Sequence, residues 1–195
     1  EVRDHCHIRD PEAEWKAVQQ AISLQRKTGC TLYLCHLSTP TSVEIAAQAK
    51  DDGASVYAEV CPHHLWLSQE KLSEPGPSKN FYKMNPPLRE KLQVEKLQRY
   101  VCEGLVDTIG SDHAPHTRKE KMQKNYDDIP SGVPGVETIL PLIFRFVSEG
   151  KMSIDRFIGL TSGNAAKIFG LERRGRIEIG CDADIVLIDR NEEVL

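Results

Sequence analysis

Three apolar runs of this sequence each end in side chains that can bind a cation or move a proton. His36 closes residues 31–36 (TLYLCH), ahead of Leu37-Ser38-Thr39. Glu59-Val60-Cys61-Pro62-His63-His64 closes residues 55–60, and Ser111-Asp112-His113-Ala114-Pro115-His116 follows residues 106–110 (VDTIG). Imidazole and carboxylate together are the donor types that hold a divalent cation such as Zn²⁺. Each residue also has a plainer reading. A histidine at a strand end is commonly a hydrogen-bonded structural group, and Asp112 suits an Asx-turn. Asn85-Pro86-Pro87 reads equally well as a rigid turn. His63 and His64 are adjacent, so they point to opposite faces if the strand continues, and at most one faces a site.

The elements that must position these residues alternate. Asp10-Pro11 reads as an N-cap with proline at the first helical position, and Trp15, Val18 and Ile22 recur at helical spacing until Gly29. Residues 31–36 form a buried strand. Thr41 with Glu44 resembles a capping box for a helix to about residue 50. Residues 55–60 form a second strand, residues 68–79 a loop, and residues 81–84 a short extended piece. Residues 90–102 are helical, with Leu92, Val94, Leu97 and Val101 on the apolar side, and residues 106–110 make a third strand. The polar stretch 111–130 is too long for an ordinary connector. Helices over 136–148 and 154–169 follow, then two strands, 176–179 and 183–189, around Gly180-Cys181-Asp182. Alternation of this kind predicts an α/β fold with a parallel sheet and crossover helices, followed by a small β module. Parallel sheets gather their sites at the carboxyl edge, where all three polar clusters lie.

The 195 residues carry 25 basic and 29 acidic side chains, a net charge of −4, and 39% hydrophobic residues. Such a chain has the composition of a soluble globular domain. No basic block marks a nucleic-acid or membrane-surface partner. The longest apolar stretch, residues 139–147, is interrupted by Arg145 and is too short to span a bilayer. The start, Glu1-Val2-Arg3-Asp4, shows no secretory leader, so a cytoplasmic location is expected. Six cysteines, at positions 6, 30, 35, 61, 102 and 181, include no C-x-x-C pair and are expected to be buried, reduced thiols.

Taken together the motifs resemble one family. C-H-L-S-T (from Cys35), E-V-C-P-H-H-L (from Glu59), K-M-N-P-P-L-R (from Lys83), G-S-D-H-A-P-H-T (from Gly110) and G-V-P-G-V-E-T (from Gly132) occur in order. N-A-A-K-I-F-G-L (from Asn164) and G-C-D-A-D-I-V-L-I-D (from Gly180) follow. This series, spanning residues 11–189, is similar to the second half of the dihydroorotases, cyclic-amide hydrolases of the amidohydrolase superfamily. The resemblance implies the C-terminal part of a TIM (β/α)8 barrel, about strands six to eight, over residues 1–170. A β module would begin at residues 171–195. It implies that His36 is a metal ligand and Asp112 both a metal ligand and the catalytic proton carrier. Asn85, His116, Ser131 and Gly132 correspond to substrate-contacting positions, whereas His63, His64 and His113 match positions that are not ligands. The implied cofactor is a binuclear Zn²⁺ centre. The implied reaction interconverts dihydroorotate and N-carbamoyl-L-aspartate in pyrimidine biosynthesis, on a small cyclic ureide. A homo-oligomer is expected, with aspartate transcarbamoylase as a further partner.

The family's centre also draws on an H-x-H on the first strand, a bridging lysine or aspartate on the fourth and a histidine on the fifth. The chain has no segment for those strands, so it is expected to be a fragment without a complete metal site. His5-Cys6-His7-Ile8-Arg9-Asp10 spells H-x-H-x-R-D. No buried strand precedes it, and it reads as a chance match in a pre-helix loop. Two alternatives stay open: a sister hydrolase acting on allantoin, hydantoins or dihydropyrimidines, and a non-catalytic scaffold of the same fold. The Asn85-Pro86-Pro87 sequence and His116 favour the dihydroorotase type over allantoinases.

Overall fold

The computed structural model describes residues 1–189. Three parallel strands form one sheet in the order β1-β2-β3: β1 Leu32–Leu34, β2 Val56–Val60 and β3 Thr108–Ile109. Leu32 stands opposite Val56 and Leu34 opposite Ala58, while Val60 stands opposite Ile109. The helices are α1 His5–Ile8, α2 Pro11–Thr28, α3 Pro40–Asp51, α4 Pro62–Trp66, α5 Lys91–Glu103, α6 Arg118–Lys121, α7 Ile139–Ser148, α8 Ile154–Ile158 and α9 Asn164–Ile168. The α/β reading with a parallel sheet is thus observed.

Local chemistry sets the boundaries. Asp10 caps α2 by accepting from the Glu12 amide, and Gly29 closes it in the left-handed conformation that glycine adopts without strain. Thr39, not Thr41, caps α3. It is extended, accepts from the Ser42 amide at 3.2 Å, and precedes Pro40 at the first helical position. On α5 the buried face is Val94, Leu97 and Val101, whereas Leu92 is 77% exposed, contrary to expectation. The helical stretch expected over 154–169 is broken by a π-helical turn, Gly159–Gly163, between α8 and α9.

Helix α3 packs on β2 and lies against both α2 and α5. Val43, Ala46, Val56, Ala58, Val60, Leu97, Val101 and Phe146 belong to the resulting core. A smaller cluster of Val2, Cys6, Leu72 and Ile129 pins the N-terminal segment to the later loops.

Other expectations also fail. Residues 81–84 are not an extended strand piece, because a 3-10 helix, Pro77–Tyr82, occupies the start of that stretch. No strand forms over 176–179 or 183–189, and Ile177, Ile179, Leu187 and Val186 are exposed. Apolar alternation supplies only one face of a strand, and without a neighbouring ladder its backbone groups stay with water. The end of the expected β module, residues 190–195, lies outside the described residues. The thiols are also not uniformly buried: Cys6 and Cys61 are buried, Cys30 and Cys35 exposed, and all six are free. Among the described residues no helix is long and apolar enough to cross a membrane.

Candidate active site

His36 and Asp112 follow the two outer strands and share an uncommon backbone geometry, each with φ of +43°. Left-handed backbone is uncommon for side-chain-bearing residues, although Asp tolerates it better than most, so what holds His36 matters. For His36 the holder is Glu59, on the central strand. The Glu59 carboxylate accepts from the His36 amide at 3.1 Å and from the Tyr33 hydroxyl at 2.7 Å. It also lies against Gly110 at the end of β3, where a Cβ would fall 2.4 Å from the carboxyl carbon. A single acid on β2 therefore touches the ends of both neighbours. Sequence reading placed Glu59 in the second polar cluster but gave it no role, although a carboxylate inside the apolar run SVYAEV stood out.

The His36 ring leaves Nδ1 buried and without a hydrogen-bond partner among the described residues. Such an unpartnered nitrogen fits a ligand position, and imidazole and carboxylate are donor types that hold Zn²⁺. His63 lies between them electrostatically: Asp112 favours its charged form and His36 opposes it.

Asn85 shares with His36 a cleft of about 390 Å³ that Arg9, Glu14, Pro86 and Arg89 also line, and the Asn85–Pro86 peptide is cis. Beneath it runs a buried polar network. Arg89 donates from Nε to Ser38 Oγ at 2.9 Å, from Nη1 to the Arg9 carbonyl at 2.9 Å, and from Nη2 to Glu14 at 3.4 Å. Glu14 in turn accepts from the Ser38 and Thr39 amides at 3.1 and 3.0 Å and from both hydroxyls. The loop after His36 is thereby fixed to the first turn of α2 and to the Asn85 segment.

His116, Ser131 and Gly132 form a second group. His116 Nε2 lies 3.2 Å from the Ser131 carbonyl oxygen. Gly132 has φ of +128°, and a Cβ there would lie 2.6 Å from the Ala114 Cβ. Its amide donates to the Lys83 carbonyl at 3.0 Å. Two buried lysines tie this loop down. Lys83 Nζ donates to the Tyr126 and Ile129 carbonyls at 2.7 Å each and sits 4.0 Å from the centre of the Tyr126 ring. Lys121 Nζ donates to the Lys83 and Pro130 carbonyls at 2.8 and 2.9 Å. Burial, with Lys83 alongside, lowers the Lys121 ammonium to about 8. The long segment 111–130 is accordingly ordered around α6 and a 3-10 turn, Tyr126–Asp128.

The other histidines divide clearly. His5 is buried on α1, with Nε2 at 2.8 Å from the Met84 carbonyl and Nδ1 at 2.7 Å from the Tyr126 hydroxyl, while His7 is exposed. Both ring nitrogens of His5 are thus engaged, whereas His7 lies at the surface. His113 Nδ1 accepts from the Gly135 and Val136 amides. His63 and His64 depart from the alternating-face reading: the strand stops at Val60, Pro62 opens α4, and both rings are buried 4.3 Å apart.

The sequence pattern of the amidohydrolase family matches residues 5–194. A dihydroorotase of Halobacterium salinarum is 44% identical over 184 residues, which cover 94% of this chain and 42% of that protein. A dihydroorotase of Lactobacillus helveticus is 37% identical over 183 residues, 93% of this chain and 42% of that protein. The crystal structure of a dihydropyrimidinase from Brevibacillus agri superposes with a TM-score of 0.89 at 35% identity, covering 94% of this chain and 41% of that one. The chain thus spans about two fifths of the length of the curated relatives it matches.

Proposed function

The chain belongs to the amidohydrolase family, and from that premise we propose that it is part of a metal-dependent cyclic-amide hydrolase of the dihydroorotase type. Its substrate would be dihydroorotate, interconverted with N-carbamoyl-L-aspartate in pyrimidine biosynthesis. The three strands correspond in this reading to strands six to eight of a (β/α)8 barrel over residues 1–170, with a β module starting at 171. A cytoplasmic location, a homo-oligomer and association with aspartate transcarbamoylase belong to the same proposal.

The observation that carries it is the pair of residues with left-handed backbone, His36 and Asp112, at the same edge of one parallel sheet. Zn²⁺ held by His36, Asp112 and donors from outside this chain would make water nucleophilic near neutrality and polarise the ring carbonyl. Asp112 accepts the proton of the attacking water and returns it to the departing ring nitrogen, as general base and then general acid. Asn85, beside His36 in the cleft, and His116 with Ser131 and Gly132 hold the cyclic ureide in line for attack. Glu59 keeps the His36 backbone where its ring reaches the site.

A second reading, a hydantoinase or dihydropyrimidinase, is favoured by the close fold match to the dihydropyrimidinase above. Assaying the whole protein against dihydroorotate, a 5-substituted hydantoin and allantoin separates the readings. Dominant turnover of dihydroorotate, reduced at least about 10³-fold in Asp112→Ala with metal still bound, is the expected result. Preferential hydantoin or allantoin hydrolysis would overturn the substrate. A protein inactive on all three but able to bind aspartate transcarbamoylase would point to the scaffold alternative.

A further inference from the structure

Cys61, His63 and His64 are not used in the reaction above, yet they form a compact donor group. Their ligand atoms all lie within 4.8 Å of one another, and all three residues are buried. We propose that they form a binding site for a thiophilic divalent cation of the zinc–cadmium type, which fills without His36 or Asp112.

Three features support a cation there. First, two ring nitrogens have no partner among the described residues, His63 Nε2 and His64 Nδ1, on side chains only 8% and 2% exposed. A buried polar atom without a hydrogen bond carries a penalty that a metal bond removes. Second, the other nitrogen of His64, Nε2, lies 3.0 Å from the Pro86 carbonyl oxygen. That contact places the proton on Nε2 and leaves the Nδ1 lone pair free, the arrangement in which a backbone carbonyl orients a metal-binding imidazole. Third, the local charge suits a cation. Burial chiefly pushes the Cys61 thiol pKa up, and the carboxylates of Glu59 and Asp112 add to it. The part that comes from these two carboxylates is a negative potential, and it favours a divalent ion beside the thiol.

The fold supplies the clustering. β2 ends at Val60, Cys61 is the extended residue before α4, and Pro62 begins that helix, so residues 63 and 64 turn back over the strand end instead of alternating across it. Ligand atoms around tetrahedral zinc sit roughly 3.3–3.8 Å apart, given bonds of about 2.0–2.3 Å. Side-chain adjustments of about 1 Å close the group. Binding converts the Cys61 thiol to a thiolate and releases one proton to solvent, while both imidazoles enter neutral and release none.

The test uses the protein stripped of metal by a chelator and titrated with Cd²⁺, following the thiolate-to-cadmium absorption band and the protons released. One Cys61-dependent equivalent of cadmium and one proton are expected in the wild type, gone in Cys61→Ser. Both should persist in the His36→Ala/Asp112→Ala double variant, and His63→Gln should weaken binding by about 10- to 100-fold. The exposed thiols of Cys30 and Cys35 give a background that Cys61→Ser retains. If Cys61→Ser does not fold, His63→Gln carries the decision. An unchanged band in Cys61→Ser, or unchanged affinity in His63→Gln, would overturn the site. So would loss of binding in the His36→Ala/Asp112→Ala protein, which would make Cys61 an accessory to that pair.

Discussion

Gly110→Ala should damage the protein through Glu59 alone. Gly110 has an ordinary backbone conformation, so alanine adds only a methyl group, at 2.4 Å from the Glu59 carboxyl carbon and 2.5 and 2.6 Å from its oxygens. The carboxylate must swing away, giving up its bonds from Tyr33 Oη at 2.7 Å and from the His36 amide at 3.1 Å. Hydrogen bonds to a charged group contribute about 1.5–3 kcal/mol each. Glu59 is only half-buried, so water recovers part of this, and a net loss of roughly 2–3 kcal/mol is expected, within the range for overpacking. Glu59→Ala forfeits the same bonds and should cost a similar amount. In that background Gly110→Ala meets no carboxylate and should be neutral, or slightly stabilising through reduced freedom of the unfolded chain. Urea unfolding of the four proteins gives the coupling directly. A coupling near 2 kcal/mol, with faster hydrogen exchange at the His36 amide in both single variants, is the expected outcome. Costs that add within about 0.5 kcal/mol would refute the reasoning, since Glu59 would then not be what Gly110 makes room for.

Arg89→Lys should lower stability by about 2–4 kcal/mol, read as a fall in Tm, because one ammonium cannot replace three directed bonds to Ser38, Arg9 and Glu14; a change under 1 kcal/mol would deny the network its role. Lys83→Met releases the Tyr126 and Ile129 carbonyls and should speed limited proteolysis within residues 122–130 about tenfold or more, with the core unaffected. Unchanged cleavage would show the loop to be held by other contacts. Burial holds His5 below its ordinary pKa of 6.5. As the pH falls through that value the unfolded chain gains its proton first, so stability is complete above about 6.5 and declines below it. His5→Gln should flatten the acid limb of a stability–pH curve, and an identical slope would exclude this contribution.

Local signals made much of the scaffold legible. Aliphatic runs gave three strands, and Asp10-Pro11 and Gly29 bounded α2 within a residue, because caps and apolar periodicity act over one or two turns. The pleat argument for His63 and His64 failed at Pro62, which has no amide to extend a ladder and instead suits a helix start. Residues 176–189 read as strands from their apolar pattern, but a strand also needs a partner, which is not a local property. The clearest omissions were Glu14, Lys83, Arg89 and Lys121, together with the positioning role of Glu59. Charged side chains default to solvent in a sequence reading, and Glu59 reaches its partners across 23 and 26 residues, Arg89 across 51, 75 and 80. Only the assembled sheet brings them together.

The order of the strands also dictates a timetable. Pairing Leu32 with Val56 closes a loop of 24 residues, whereas pairing Val60 with Ile109 closes one of 49. Doubling a loop adds only about 0.6 kcal/mol of closure entropy. The shorter loop, however, also contains α3, which packs on β2 and supplies apolar contacts as soon as it closes. β1, α3 and β2 are thus expected to nucleate first and β3 to dock onto them, which would place His36 before Asp112. Truncating Ala46 or Val43 to glycine or alanine should slow refolding, while Ile109→Val should mainly hasten unfolding. Equal effects on both rates would contradict that order.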